Sequence, residues 1–209
     1  GALPGPMAVI ALGYAAWLFF WALVVILVSA LVRRSRDALL ALLAIWTVGV
    51  ILIPRVAPDL AGQARPVATR LETDIAIQRD LRQLGDSHNA DDPFFAAFKQ
   101  KVLDQYGVTR AEDLPVNYKG LLAIEGEKLT SGLFDRYAAA SFATQAEQSA
   151  IMHGFAALSP AIALRRLSMA AAGTDLAGHR RFLDQGEAYR FDIVQRVNRL
   201  QADGVSYAD

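Results

Sequence analysis

The side chains able to do chemistry here are few: three histidines, scattered carboxylates and serines, and no cysteine. Without a thiolate, thiol catalysis, disulfides and cysteine-held zinc or iron–sulfur centres are excluded. His88 stands among Asp86, Asp91 and Asp92, an oxygen-rich stretch that could cradle a cation. An EF-hand loop needs alternating acids, a central Gly and a distal Glu, which this stretch lacks, so it reads as a polar turn ending in a helix cap. His179 follows Asp175 by four residues. On a helix the two would share a face, where the carboxylate would raise the His pKa or orient it as a ligand. No third ligand follows at a helical interval, so His179 reads as a hydrogen-bonded or salt-bridged structural residue. His153, between Met152 and Gly154, reads as packing. Ser131, Ser159 and Ser168 lack a nucleophile-elbow context, and no P-loop occurs. The expectation is a non-enzyme with no catalytic, cofactor-binding or metal-binding residues and no cofactor of its own.

The elements that would position these groups start with two apolar runs. Residues 7–32 contain no charged side chain. As a helix that run is about 39 Å long, against a hydrocarbon layer of about 30 Å. Residues 38–54 reach about 26 Å, which suffices if the arginines at both ends snorkel outward. Arg33-Arg34-Ser35-Arg36-Asp37 joins the runs as a five-residue loop. The expectation is a transmembrane hairpin with spans of about 7–32 and 38–54 and a loop at 33–37. A soluble core would need more surrounding protein than the chain offers. The first run is too long for a cleaved leader, and no basic stretch precedes it. The chain begins with Gly1 rather than Met, as a piece of a longer polypeptide would.

Short loops rich in Arg stay on the cytoplasmic side, which directs both outer ends of the hairpin outward. Tyr14 and Trp17 fall toward that outer end, where interfacial aromatics are favoured. Arg55, Arg65 and Arg70 lie beyond the second run but are spread out and interrupted by Asp59. Of the 21 basic and 21 acidic residues, only Arg33, Arg34, Arg36 and Asp37 fall within residues 1–54. The faintly acidic remainder carries no footprint for nucleic acid, which would need clustered Lys and Arg.

The rest of the chain reads as helices, so the fold class is all-α: a hairpin, a Pro-containing linker at 55–68, and a helical extracytoplasmic domain at 69–209, elongated or bundled. A helix is expected at about 71–84. Asp92 and Pro93 mark the start of another, with Phe94, Phe95, Phe98, Val102, Leu103 and Tyr106 on one face and Gly107 as its stop. Asn117 could cap a long helix toward Leu158, in which Gly120, Gly126 and Gly132 mark either close approach of another helix or a break. Ser159-Pro160 starts a shorter helix ending at Gly173, either an ordinary bundle helix or an amphipathic segment on the outer membrane surface. Thr174 would cap the last helix, to about Ala202, with Leu176, His179, Leu183, Gly186, Ile193, Val197 and Leu200 along one stripe.

Several strings carry a resemblance: Ser35-Arg36-Asp37-Ala38-Leu39-Leu40 through Trp46 to Pro54, Glu112-Asp113-Leu114-Pro115-Val116-Asn117-Tyr118-Lys119-Gly120, and Leu167 to Asp175 with His179-Arg180-Arg181-Phe182 and Glu187-Ala188-Tyr189-Arg190. Together they resemble a subgroup of bacterial ABC-2-type transporter permeases with a large helical extracytoplasmic domain. The resemblance implies a multi-pass inner-membrane subunit of about six spans, with earlier ones upstream of Gly1 and a last one after Asp209. It also implies an ATP-binding-cassette ATPase subunit as partner, a second permease subunit in a homo- or heterodimer, and export of a substrate it does not specify. Arg33, Arg34, Arg36 and Asp37 would then anchor topology or contact the ATPase. Gly173, Thr174, Asp175, His179, Arg180 and Phe182 form a family-like motif whose role the resemblance leaves open. The alternative function is a membrane-anchored sensor or adaptor whose external domain binds a ligand or partner; a third is a metal-dependent membrane enzyme using His88 or His179.

Overall fold

The computed structural model describes residues 4–85 and 92–204. The all-α expectation is met: helices account for 87% of the structure and no strand occurs among the described residues. The helices are α1 (Pro4–Leu31), α2 (Ser35–Trp46), α3 (Ile53–Ala64), α4 (Arg70–Leu84), α5 (Pro93–Tyr106), α6 (Tyr118–Gly154), α7 (Pro160–Ala172) and α8 (Leu176–Ala202). A wide π turn, Thr47–Leu52, joins α2 to α3, and short 3₁₀ turns lie at Ala111–Asp113 and Phe155–Ala157.

The chain divides into two compact units, Gly1–Val67 with Phe142–Phe182 and Ala68–Ser141 with Leu183–Asp209. Packing thus draws the boundary differently from the division expected at residue 69. The short helix α7 belongs with the hairpin rather than with the remaining helices, and α6 and α8 each contribute to both units.

In the first unit two helices are long and apolar enough to cross a membrane, Gly5–Leu31 and Ser35–Ala64. At 1.5 Å per residue they extend about 40 and about 45 Å. Of the most apolar stretch of each, 0% and 6% is buried within the described fold. The second helix overturns the expected stop at Pro54: it continues to Ala64 through Pro54 and Pro58, leaving only residues 65–68 of the anticipated linker outside a helix. Proline breaks an α-helix because it lacks an N–H and its ring strikes the preceding turn. Here the turn just before Pro54 is the wide π turn, which spreads the carbonyls its ring would meet. The expected loop at 33–37 is tighter than its five residues, since α2 already starts at Ser35 and Arg34 is its N-cap.

The second unit follows several local signals. Thr69 and Glu72 form a reciprocal capping box at the start of α4. Asp92 accepts from the amides of Phe94 and Phe95, and Gly107 ends α5 in the left-handed region, with Val108 N–H donating to Leu103 O. Phe95, Val102 and Leu103 are buried, while Phe94 and Tyr106 are largely exposed. Helix α6 is unbroken. Gly120 marks a close approach, because a Cβ there would collide with the backbone of Ala202 in α8, whereas Gly132 faces open space. The Asn117 amide donates to Ala202 O, and the Asn117 side chain accepts from Lys119 N–H as the expected cap. The apolar stripe expected for α8 is displaced. Leu183, Ile193, Val197 and Leu200 are exposed, and the packed side instead presents Glu187, Phe191, Gln195 and Ala202.

Candidate functional site

The buried polar contact of the first unit grows from Pro54. In a π turn each carbonyl accepts from the amide five residues on, as Val48 O does from Ile53 N–H. The next such pair would join Gly49 O to residue 54, which is proline and has no N–H. The orphaned Gly49 carbonyl is met from outside the helix by Ser159 Oγ at 2.6 Å. Ser159 is fully buried, and the same oxygen accepts from Ile162 N–H at 3.3 Å, capping α7, whose first residue is Pro160. One hydroxyl therefore repairs two backbone deficits, one in the wide turn and one at a helix start.

From this node α7 lies against α1. At Gly13 a Cβ would strike Leu167 Cδ2 and touch Leu164 Cδ1, so the missing side chain permits the approach. Helix α7 is thus packed along α1 of the hairpin and is not grouped with the helices of the second unit. The end of α3 is tied to α6 by Arg65 and Glu147 at 2.7 Å and by Gln148 donating to Arg65 O at 2.6 Å. That ion pair is more than half exposed and worth little by itself.

Arg33 and Arg34 form the hairpin turn, and Arg36 and Asp37 occupy the first turn of α2. All four are exposed, and Asp37 sits favourably at a helix N-terminus. The motif 173–182 is a corner between helices. Gly173 adopts φ 68°, Thr174 N–H closes onto Met169 O at 2.9 Å, and Thr174 Oγ1 reaches the same carbonyl at 3.4 Å. Asp175, rather than Thr174, caps α8, accepting from Gly178 N–H at 2.9 Å. A Cβ on Gly178 would collide with Gly173 O, so the tight corner demands glycine there. The Asp175 carboxylate is thus spent on the cap and makes no hydrogen bond or ion pair with His179. The His179 ring instead lies edge-on to Phe142, over which the Arg180 guanidinium stands at 5.8 Å. Phe182 is 72% exposed. His153 is exposed rather than packed.

In the second unit the densest polar group, missed by sequence reasoning, surrounds Arg190. Its guanidinium contacts Glu127 at 2.7 Å, Glu187 at 2.6 Å and Ser131 Oγ at 2.7 Å, while Ser131 donates to Glu127 at 2.8 Å. Donation from Arg190 holds the Glu187 carboxyl below its ordinary value, against the opposing effect of burial. Tyr137 donates to Asp80 at 2.7 Å, and Arg79 pairs with the same carboxylate. The Tyr137 and Arg79 hydrogen bonds lower the Asp80 pKa, and the bond to Asp80 raises that of Tyr137. In both groups each carboxylate is matched by a donor, and these arrangements brace helices. Among the described residues no three His, Asp or Glu side chains converge on a metal site. His88, with Asp86 and Asp91, lies outside the described residues.

The family described as a domain of unknown function (DUF3526) matches residues 70–208. No curated protein and no solved structure matches the chain.

Proposed function

The chain belongs to the DUF3526 family, and from that premise we propose that it is part of a membrane-spanning permease subunit of an ATP-binding-cassette exporter, driven by a separate ATPase. The observation that carries the reading is the pairing of this domain, from a family sometimes found in ABC-2 permease-like proteins, with two exposed apolar helices of spanning length. Such helices expose side chains to solvent that only a lipid phase would accept at that density. The Arg33–Arg34 turn favours the cytoplasmic side, which directs the matched domain outward and leaves Arg33, Arg34 and Arg36 available to an ATPase. The membrane in question is the bacterial inner membrane, with a second permease subunit completing the path.

Helix rises then give depths. Measured from the turn, Gly49 stands about 21 Å up its helix and Gly13 about 27 Å up α1, within a layer of about 30 Å. With Ser159 against the first and Leu164 and Leu167 against the second, α7 would on this reading lie along the outer half of the bilayer. Arg165 and Arg166 are near enough to the outer boundary to snorkel.

The test is co-expression of the full-length polypeptide with an ATP-binding-cassette ATPase subunit encoded beside it. The ATPase is expected to copurify, and Ser35→Cys is expected to cross-link to it. In intact cells an impermeant maleimide is expected to label Lys101→Cys and to spare Ser35→Cys. Labelling of Ser35→Cys alone would reverse the orientation, and failure to recover any ATPase would remove the exporter reading.

A further inference from the structure

Between α1 and α7 runs an open groove of about 280 Å³, lined by Tyr14, Trp17, Leu164, Arg165, Ser168 and Met169. Two of its polar atoms are buried and lack any partner: the indole Nε1 of Trp17 and the hydroxyl of Ser168. Native folds seldom leave such groups unsatisfied, and in an apolar phase water cannot make up the deficit. Arg165 adds a cation to the same groove and makes no ion pair with any described residue. The flanks are apolar and exposed, Leu12 and Leu18 on α1 and Leu167 on α7. The groove therefore presents a cation, an N–H donor and a hydroxyl between two greasy walls. An occupant that matches all of these carries an anionic, multi-oxygen head on hydrocarbon chains.

Resting on the membrane reading above, we propose that this groove binds the phosphate of an outer-leaflet phospholipid. By the rise from the turn, Trp17 stands about 21 Å and Tyr14 about 26 Å up α1, which brings the groove into the outer third of a layer of about 30 Å, with Tyr14 near its outer boundary. Arg165 takes the charge, since guanidinium matches phosphate geometry. Ser168 and Trp17 donate to the remaining oxygens, and the acyl chains descend along the exposed leucines. The Trp21 Nε1 is likewise unpartnered but does not line the groove.

The experiment titrates the 209-residue chain in neutral detergent with dioleoyl phosphatidylglycerol and, separately, with dioleoylglycerol, which has the same chains and no phosphate. Bound lipid is counted by native mass spectrometry. Phosphatidylglycerol is expected to bind and dioleoylglycerol to bind at least about tenfold more weakly. Arg165→Gln is expected to weaken phosphatidylglycerol binding about tenfold and Ser168→Ala about threefold, with Arg166→Gln unchanged. Circular dichroism of each variant confirms an intact helical fold. Equal binding of the two lipids, wild-type binding by Arg165→Gln, or displacement of the lipid by millimolar inorganic phosphate would overturn the proposal, the last assigning the groove to a free anion. Flotation with phosphatidylglycerol vesicles separates the two levels. A chain that floats yet is indifferent to Arg165→Gln loses only the headgroup site, and a chain that does not float loses the membrane reading too.

Discussion

Replacing Ser159 with Ala tests the reasoning about the wide turn most directly. The change deletes the donor to Gly49 O and the acceptor for Ile162 N–H without altering the apolar contacts of α7. A buried carbonyl left without a donor costs about 1–3 kcal/mol. Loss of a serine cap adds about 1 kcal/mol, for a total of about 2–4 kcal/mol. The informative partner mutation is Pro54→Ala, which restores an amide. That amide can serve Gly49 O in the π register, or the turn can relax to α and give Gly49 O the Ile53 amide; either way the carbonyl no longer depends on Ser159. In the Pro54→Ala background Ser159→Ala should therefore cost only the cap, so the two changes couple by about 1–3 kcal/mol. The assay is reversible unfolding in detergent micelles, followed by circular dichroism for the four proteins of the cycle. Ser159→Thr, which keeps a hydroxyl, should retain part of the stability. A Ser159→Ala cost below about 0.5 kcal/mol, or an equal cost in both backgrounds, would refute the account.

Other outcomes follow from the same structure. Gly120→Ala should destabilise the chain by about 1–3 kcal/mol in urea unfolding, because its Cβ meets the Ala202 backbone, while Gly132→Ala, facing open space, should stabilise by about 0.5–1 kcal/mol. At the 173–178 corner Asp175→Asn should be near neutral and Asp175→Ala cost about 1 kcal/mol by thermal unfolding, as expected of a cap. Gly178→Ala should cost about 2 kcal/mol or more, since it collides with a backbone carbonyl. Around Arg190 the sign of the pH effect is set by Glu187, whose folded pKa the Arg190 hydrogen bond holds below the ordinary glutamate value. Its contribution is present above the unfolded value and lost as pH falls through the folded one. The gap in urea midpoint between wild type and Arg190→Gln should accordingly be larger at about pH 6.5 than at about pH 3.

Elements whose cause lies within a few residues were legible in the sequence. Asp92 with Pro93, Asn117 beside Lys119 and the stops at Gly107 and Gly173 are local chemistry, and each appears where it was expected. The Thr69–Glu72 capping box was equally readable and starts α4 slightly earlier than its apolar pattern indicates. Pro54 misled because proline reads as a helix stop unless the preceding turn widens, and nothing local to Thr47–Leu52 announces that it does. The Ser159–Gly49 contact spans 110 residues, beyond any periodicity. The α8 stripe misled for a different reason. Its packed side is polar because it is defined by what lies opposite: Gln195 donates to Ile124 O, and Arg190 reaches Glu127 and Ser131. Hydrophobic pattern finds a buried face only where burial is apolar. Of the motif 173–182, composition exposed the residues but not their work, since an Asp four residues before a His reads as a pair until the Gly178 amide is seen to take the carboxylate.

The seam between the hairpin and α7 combines two kinds of constraint that do different jobs. Gly13 with Leu164 and Leu167 makes the helices close, and apolar contacts of that sort tolerate small slides at little cost. The Ser159 hydroxyl makes them specific. Sliding α7 by one residue would leave Gly49 O without a donor in a region where water cannot replace it, so register is held by one hydrogen bond while proximity is held by shape. A proline that removes an amide is thereby converted from a defect into an attachment point. Under the proposed permease function this has a mechanical consequence: a shift of the second spanning helix carries α7 with it, because the node lies midway along that helix rather than at a flexible end. The corner at Gly173–Gly178, stiffened by its two caps, passes the same displacement into the first residues of α8.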